Sequence, residues 1–322
     1  VRKSLALIAS AAVIAALAGC SNSTPSAADC TGAAPSGPSS ETVTATGDFG
    51  QTTTVNFGTP VQVTSTERSV LIPGSGAPAE NGGTVLASYS FYDGTTGESL
   101  GSQPPGLIPL SSSVPQGIVD GFLCSTPGSR VAIVLDPADA AVITQSTTPS
   151  DSMIMVADVQ QVYPAAANGA DQPVASADLP SVVHGDDGRP GITIPSTPAP
   201  TELKVATLKK GDGPVVKDGD SVLAQYTGVL WDGKTVFDSS WANGSPAVLT
   251  VSDGSAAGAT GGIIPGLATA LTGQTVGSEI LAVIPPDQGY GAQGSGQAVP
   301  PNATLVFVVD ILGVLPASAA GQ

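Results

Sequence analysis

Alternating apolar and polar positions pick out three strands late in the chain. Val222, Ala224 and Tyr226 share one face, Ile280, Ala282 and Ile284 a second, and Leu305, Phe307, Val309 and Ile311 a third. A period of two marks a strand with one buried face. Turn signals separate the runs: Lys210-Gly-Asp-Gly-Pro214, Asp232-Gly233 and Ala242-Asn-Gly-Ser-Pro246. One segment, Pro265–Leu271, reads as a short helix. Proline opens it, Gly273 follows it, and Leu267 and Leu271 lie four apart so that both face a sheet. An antiparallel sheet packed on one short helix predicts an α+β domain.

The same order of signals occurs earlier. Val85-Leu-Ala-Ser-Tyr89-Ser matches Val222-Leu-Ala-Gln-Tyr226-Thr, and Gln116–Phe122 matches Gly262–Leu267. Gly128–Leu135 with Asp136-Pro137 matches Gly277–Ile284 with Pro285, and Asp151–Val159 matches Asn302–Ile311. An offset of about 137 to 152 positions, with order kept, predicts two copies of one fold. The expected division is a first domain over 41–164, a linker over 165–178 rich in Ala, Asp and Asn, and a second domain over 179–316 with its core at 202–316. Residues 317–322 are left as a tail.

Ahead of the first copy, Arg2-Lys3 and the apolar run Leu5–Leu17 lead to Ala18-Gly19-Cys20. A basic start, a short apolar run and a small-residue end describe a secretory signal over 1–19, and the run is shorter than the ~20 residues of a membrane span. Leu17-Ala18-Gly19-Cys20 resembles a bacterial lipobox, which implies cleavage before Cys20 and its diacylation. Two acyl chains anchor a protein durably. The expectation is an extracytoplasmic protein held on the outer face of the cell membrane, with 20–40 as lipidated cysteine and flexible tether. Cys30 and Cys124 are then candidates for a disulfide pinning the tether to the first domain, two free thiols being the alternative.

Composition narrows the chemistry. Forty glycines and 28 prolines favour turn-rich β or α+β domains, and 26 acidic against ten basic residues give a net charge of −16. That sign repels phosphate backbones, so nucleic acid is not expected as a partner. One histidine and three cysteines leave little material for a zinc site or a Ser–His–Asp triad, so neither metal nor cofactor is expected.

Specific runs go further. Gln225-Tyr226-Thr227-Gly228, Asp232-Gly233-Lys, Val236-Phe237-Asp238-Ser239-Ser240, Gly262-Ile263-Ile264-Pro265-Gly266-Leu267, Gly289-Tyr290-Gly291 and Val299-Pro300-Pro301-Asn302-Ala303-Thr304-Leu305-Val306-Phe307 follow one another in that order. Together, over about Glu202–Leu315, they resemble the FKBP-type peptidyl-prolyl cis–trans isomerases. The resemblance implies two domains, each a five-stranded antiparallel half-barrel wrapped on one short helix. It also implies an apolar proline pocket between sheet and helix in the second. By that match Tyr226, Phe237, Ile263, Ile264, Leu267, Val299 and Phe307 line the pocket. Tyr290 and the Ile264 N–H donate to substrate carbonyls, and Asp238 sits at the rim.

Two positions depart from the pattern. Leu267 stands where many family members carry tryptophan, and Ala247 matches another aromatic wall position. Trp241, just past Asp238-Ser-Ser, could swing over the pocket in compensation, a half-buried loop tryptophan being the alternative. The first copy keeps Tyr89 but has no Phe-Asp and no Tyr-Gly, so spacing or client binding is expected of it rather than isomerisation, a purely structural remnant being the alternative. Gly289–Gly294 spells G-x-G-x-x-G yet runs into Pro300-Pro301 instead of a helix, which rejects a dinucleotide site. His184, in His-Gly-Asp-Asp-Gly-Arg-Pro, reads as a solvated turn residue. The partners implied are proline-containing unfolded or secreted polypeptides, macrolide ligands, and a membrane through the lipid. The alternative is a client-binding lipoprotein without catalysis.

Overall fold

A computed structural model describes residues 30–51, 53–145, 151–174, 178–252, 262–317 and 319. The signal segment, Cys20 and the first part of the tether lie outside the described residues.

Two antiparallel sheets organise the chain. The first comprises β1 (Glu67–Ile72), β2 (Thr84–Asp93), β3 (Ser99–Pro109), β4 (Arg130–Leu135) and β5 (Met153–Tyr163), in the order β1-β4-β5-β2-β3. Helix α1 (Gln116–Phe122) lies between β3 and β4, and α2 (Pro137–Thr144) follows β4. The second comprises β6 (Ala170–Asp171), β7 (Lys204–Lys210), β8 (Ser221–Leu230), β9 (Val236–Ser239), β10 (Ala247–Thr250), β11 (Glu279–Ile284) and β12 (Leu305–Val314). Its order is β9-β8-β12-β11-β7-β6, with β10 also on β8, and helix α3 (Pro265–Leu271) precedes β11. The run β7-β11-β12-β8 therefore repeats β1-β4-β5-β2, each with its helix ahead of the same strand.

Seven strands rather than the expected five enter the second sheet. The outer strand is split into β9 and β10 by the loop between them. At the other edge the presumed linker pairs as β6, Lys209 and Lys210 opposite Asp171 and Ala170. From Cys30 onward the tether is fastened down, by the disulfide the two cysteines suggested and by further bonds beyond it. Cys30 is disulfide-bonded to Cys124 with Cα atoms 5.5 Å apart. The Ala34 N–H donates to Asp120 O at 2.9 Å. Pro38–Glu41 form a turn of helix whose free N–H groups, Ser39 and Ser40, are accepted by the Glu67 carboxylate at 2.8 and 2.9 Å.

Each sheet is covered on both faces. On one face of the second, Val222, Ala224, Ile280, Ala282, Ile284, Val309 and Ile311 pack against Leu267, Ala270 and Leu271 of α3. Seven residues make a helix too short to stand alone in water, so this packing holds it. On the other face Leu281, Val283, Val306, Val308 and Trp231 are covered by Leu179, Val182, Ile192 and Ile194, from the hairpin Ser181–His184/Pro190–Thr193 and its flanks. The first sheet is covered likewise, Ala132, Val134, Ile154 and Val156 lying under Val43, Val61 and Val63. Double coverage explains why β4 and β11 are buried along their whole length.

Under each cover sits a buried charged pair at the same cross-strand position. In the first sheet Arg130 opposes Asp158, with Nε 2.5 Å from Oδ1, and Arg130 also donates to the Gly47 and Asp48 carbonyls of the cover. In the second sheet Glu279 opposes Asp310, so two acids face each other. His184 Nε2 lies 2.7 Å from Glu279 Oε1 and Lys209 Nζ 3.9 Å from Oε2, while the Ala167 N–H donates to Asp310 Oδ2 at 2.9 Å. Burial, with the Glu279 charge opposite, pushes the Asp310 carboxyl up to about 7. His184 is thus a partner of a buried acid, not a solvated turn residue. The two sheets meet through a small apolar core of Leu86 and Tyr163 against Leu223, Leu312 and Leu315. There Tyr163 lies so close over Gly313 that a Cβ would come 2.3 Å from its Cε1.

Candidate functional site

The cleft lies between α3 and the outer strands of the second sheet. β8 supplies Tyr226, β9 supplies Phe237 and Asp238, and β12 supplies Phe307. Residues 262–264 run into α3, where Ile264 is the N-cap and Pro265 opens the first turn, pre-set for helix by its fixed φ. Leu267 follows within that turn as the floor. Tyr290 comes from the loop after β11. The cavity so enclosed measures about 200 Å³.

Its aromatic walls brace one another. Phe237 meets Phe307 edge to face, with centroids 5.4 Å apart at 87°, and Tyr226 lies 6.2 Å from Phe307 at 48°. The Phe237 ring sits over Gly228, the strand position opposite both Asp238 and Phe307, so that any side chain there would have to displace the ring. Tyr226 Oη donates to Asp238 Oδ2 at 2.5 Å. Ser240 ties the following loop back to the same strand, its Oγ accepting the Tyr226 N–H at 2.8 Å and donating to Gln225 Oε1.

Burial raises the Tyr226 hydroxyl far above its ordinary value, and the bond to Asp238 raises it further. Tyr290 is raised by burial and by the Asp238 charge. Both phenols are therefore fixed as neutral donors. Among the described residues, neither the Tyr290 hydroxyl nor the Ile264 N–H has a hydrogen-bond acceptor. Apolar walls with two free donors and one carboxylate suit a neutral, carbonyl-rich ligand with an apolar ring. Among the described residues no group of three or more His, Cys, Asp or Glu is placed to hold a metal ion.

Eight of the ten pocket positions expected from the sequence line this cavity: Tyr226, Phe237, Asp238, Ile263, Ile264, Leu267, Tyr290 and Phe307. Val299 does not; it is buried in the core of the unit. Trp241 does not either. Its ring turns outward onto the hairpin, where a Cβ at Gly188 would lie 3.2 Å from Cη2. Leu249 and Gly262 complete the lining and were not anticipated. Leu249 was within reach, since it lies two positions beyond Ala247 on the same strand face. In the first sheet a hollow of about 320 Å³ is edged by Ser88, Ser90, Ser102, Gln103 and Asp158. Tyr89 also borders it and packs on Phe91 at 5.3 Å, and among the described residues its hydroxyl meets no carboxylate.

Comparison with known proteins places this cleft in a family. The family model for FKBP-type peptidyl-prolyl cis-trans isomerases matches residues 213–312. The FK506-binding protein of Streptomyces anulatus is 31% identical over 127 residues, covering 39% of this chain and 97% of that protein. The FKBP-type 22 kDa peptidyl-prolyl cis-trans isomerase of Escherichia coli K12 is 42% identical over 113 residues, 35% of this chain and 50% of that protein. Among solved structures, FkpA from Escherichia coli aligns at 34% identity over 42% of this chain and 52% of its own, with a TM-score of 0.31. The chain thus spans about half the length of these Escherichia coli relatives.

Proposed function

The chain belongs to the FKBP-type peptidyl-prolyl cis–trans isomerases, and we propose that its second sheet unit accelerates rotation about Xaa–Pro bonds of secreted or cell-envelope polypeptides. The observation carrying this reading is an apolar aromatic cleft whose free donors, Tyr290 Oη and the Ile264 N–H, stand beside a Tyr226–Asp238 hydrogen bond.

The reaction makes and breaks no covalent bond. An Xaa–Pro amide rotates over a barrier of ~18–20 kcal/mol because the twisted state loses amide resonance. A cleft lowers that barrier by binding the twisted amide better than either planar form. The proline ring enters between Phe237, Phe307 and Leu267. Its amide then leaves water, which weakens the solvation that favours the polar planar form. Tyr290 and the Ile264 N–H hold the flanking carbonyls and fix the ends about which the bond turns. Asp238 orients the Tyr226 hydroxyl at the rim. Macrolide ligands would use the same pocket.

The two sheet units are read as two FKBP-like domains, 41–164 and 179–316, the first without the acid and donors of the second. Cys20, acylated, would hold both at the outer face of the membrane. The test is isomerisation of a short Xaa–Pro peptide by the chain from residue 21, beside Tyr290→Phe and Asp238→Val. Acceleration by the wild type that drops in both variants supports the reading. Folded protein with no acceleration overturns it and leaves a client-binding cleft.

A further inference from the structure

The loop leaving Asp238 is gripped from two sides, by the hairpin over the back of its own sheet and by the first sheet unit. It passes through the helical turn Ser240–Asn243 and returns as β10, whose Leu249 lines the pocket. So short a turn leaves its carbonyls without internal partners. Two distant donors take them. Arg189 Nη2 donates to Trp241 O at 3.0 Å, and Ser111 Oγ donates to Gly244 O at 2.6 Å. Arg189 ends the turn of the hairpin over the back face of the sheet. Gly188 beside it, at φ +86°, seats the Trp241 ring, a place where any side chain would collide. Ser111 belongs to the first sheet unit, between β3 and α1.

Both donors are carried by packed elements, the half-exposed Arg189 side chain also pairing with Asp187 Oδ2 at 3.7 Å. The hairpin is held by its apolar contacts with Leu281 and Val306 and by the bond between His184 and buried Glu279. The first sheet unit is held by Leu86 and Tyr163 against Leu223, Leu312 and Leu315. A site keeps its geometry when its supports are locked by packing, and these supports are.

We propose that the first sheet unit and the hairpin form a two-point clamp on the rim loop of the isomerase pocket, with Ser111 and Arg189 as positioning residues. By holding both ends of the turn they fix the strand end that carries Asp238, and through it the Tyr226 hydroxyl. The proposal rests on the isomerase reading for its effect on the reaction, though not for the clamp itself. It assigns the first unit a role that needs no site of its own. Release of the clamp leaves fold and chemistry in place while the rim loosens, so the cost falls on substrate binding.

The test uses the full chain with Ser111→Ala, Arg189→Ala, both together, and Arg189→Lys. Trp231 is only 3% exposed, so quenching of fluorescence by acrylamide, a neutral quencher blind to the lost charge, reads Trp241. The double variant is expected to raise KM for an Xaa–Pro peptide about three- to tenfold with kcat within about twofold, the scale of one or two lost hydrogen bonds. It should also increase quenching, whereas Arg189→Lys alone keeps both readouts near the wild-type values. Unchanged quenching, an unchanged KM, or a kcat that falls in step with the melting temperature overturns the clamp. If the wild type fails to isomerise the peptide, the isomerase reading falls, and quenching alone still decides whether the clamp exists.

Discussion

Gly228→Ala is the smallest change that should move a wall of the pocket. Gly228 lies in extended strand β8, so alanine suits its backbone. An added Cβ would nevertheless stand 2.5 Å from Phe237 Cζ and 3.0 Å from Cε1 and Cε2. Carbon atoms in good contact sit ~3.5–4.0 Å apart, so the ring has to retreat by roughly 1 Å. Retreat opens the edge-to-face contact with Phe307, a contact worth about 0.5–1.5 kcal/mol. If ~50 Å² of contact with the proline ring is also lost, binding weakens by about 1.3 kcal/mol, roughly tenfold. The expected result is a KM raised about tenfold with kcat within about twofold, because the donors at Tyr290 and Ile264 are untouched. Stability should change by less than about 1 kcal/mol, as alanine lowers the entropy of the unfolded chain while the ring shifts. Cis–trans exchange of a proline tetrapeptide over a range of concentrations separates KM from kcat. Gly58→Ala, with nothing within 4 Å of its Cβ, is the control. An unchanged KM in folded Gly228→Ala would refute the placement of Phe237 against the substrate.

Four further outcomes follow from the same geometry. Leu267→Trp should extend the floor of the cavity and tighten macrolide binding about tenfold if ~60 Å² of apolar contact is gained, and calorimetry showing equal or weaker binding would count against Leu267 as the floor. Because Tyr226 and Tyr290 are raised above the ordinary phenol value, kcat/KM should stay flat to about pH 10, and a decline starting near pH 8 would exclude them as the titrating groups. Asp310 has a folded value of about 7 against an ordinary 3.8, so between those values the folded chain holds a proton that the unfolded chain releases. Stability from this group is therefore greatest at low pH, falls as pH rises toward 7 and is flat above it. Asp310→Asn, which can still accept the Ala167 N–H, should remove that slope from urea midpoints, and an unaltered slope would assign it elsewhere. Cys30 and Cys124 are 94 residues apart, so replacing both by serine should cost about 4 kcal/mol in urea unfolding, and a loss below about 1 kcal/mol would mean that closing this loop contributes little.

The parts of the fold legible in the sequence are those with a local signature. Pro265 and Gly273 bracket α3, and Tyr226, Phe237-Asp238 and Tyr290 announce themselves by order and residue type. The covers over the back faces carry no such mark. Ser181-Val-Val-His184 looks like any short exposed strand, and it covers Leu281 and Val306 only because the chain folds back there. For Trp241 the choice between pocket wall and half-buried loop residue was not legible for the same reason, since its seat at Gly188 is far upstream. One signal was nevertheless present in the repeat itself. Aligning the copies sets Arg130 against Glu279 and Asp158 against Asp310, so a complementary pair in one copy becomes two acids in the other. A buried acid pair cannot remain fully charged without a compensating group, and a cation or a proton must come from elsewhere. With so few basic residues and one histidine in the chain, the candidates in the second copy were few. His184 and Lys209 are the two that reach Glu279. Of the two, Lys209 lies in the sheet itself and His184 in the covering hairpin, and the same hairpin carries Arg189 to the rim of the pocket.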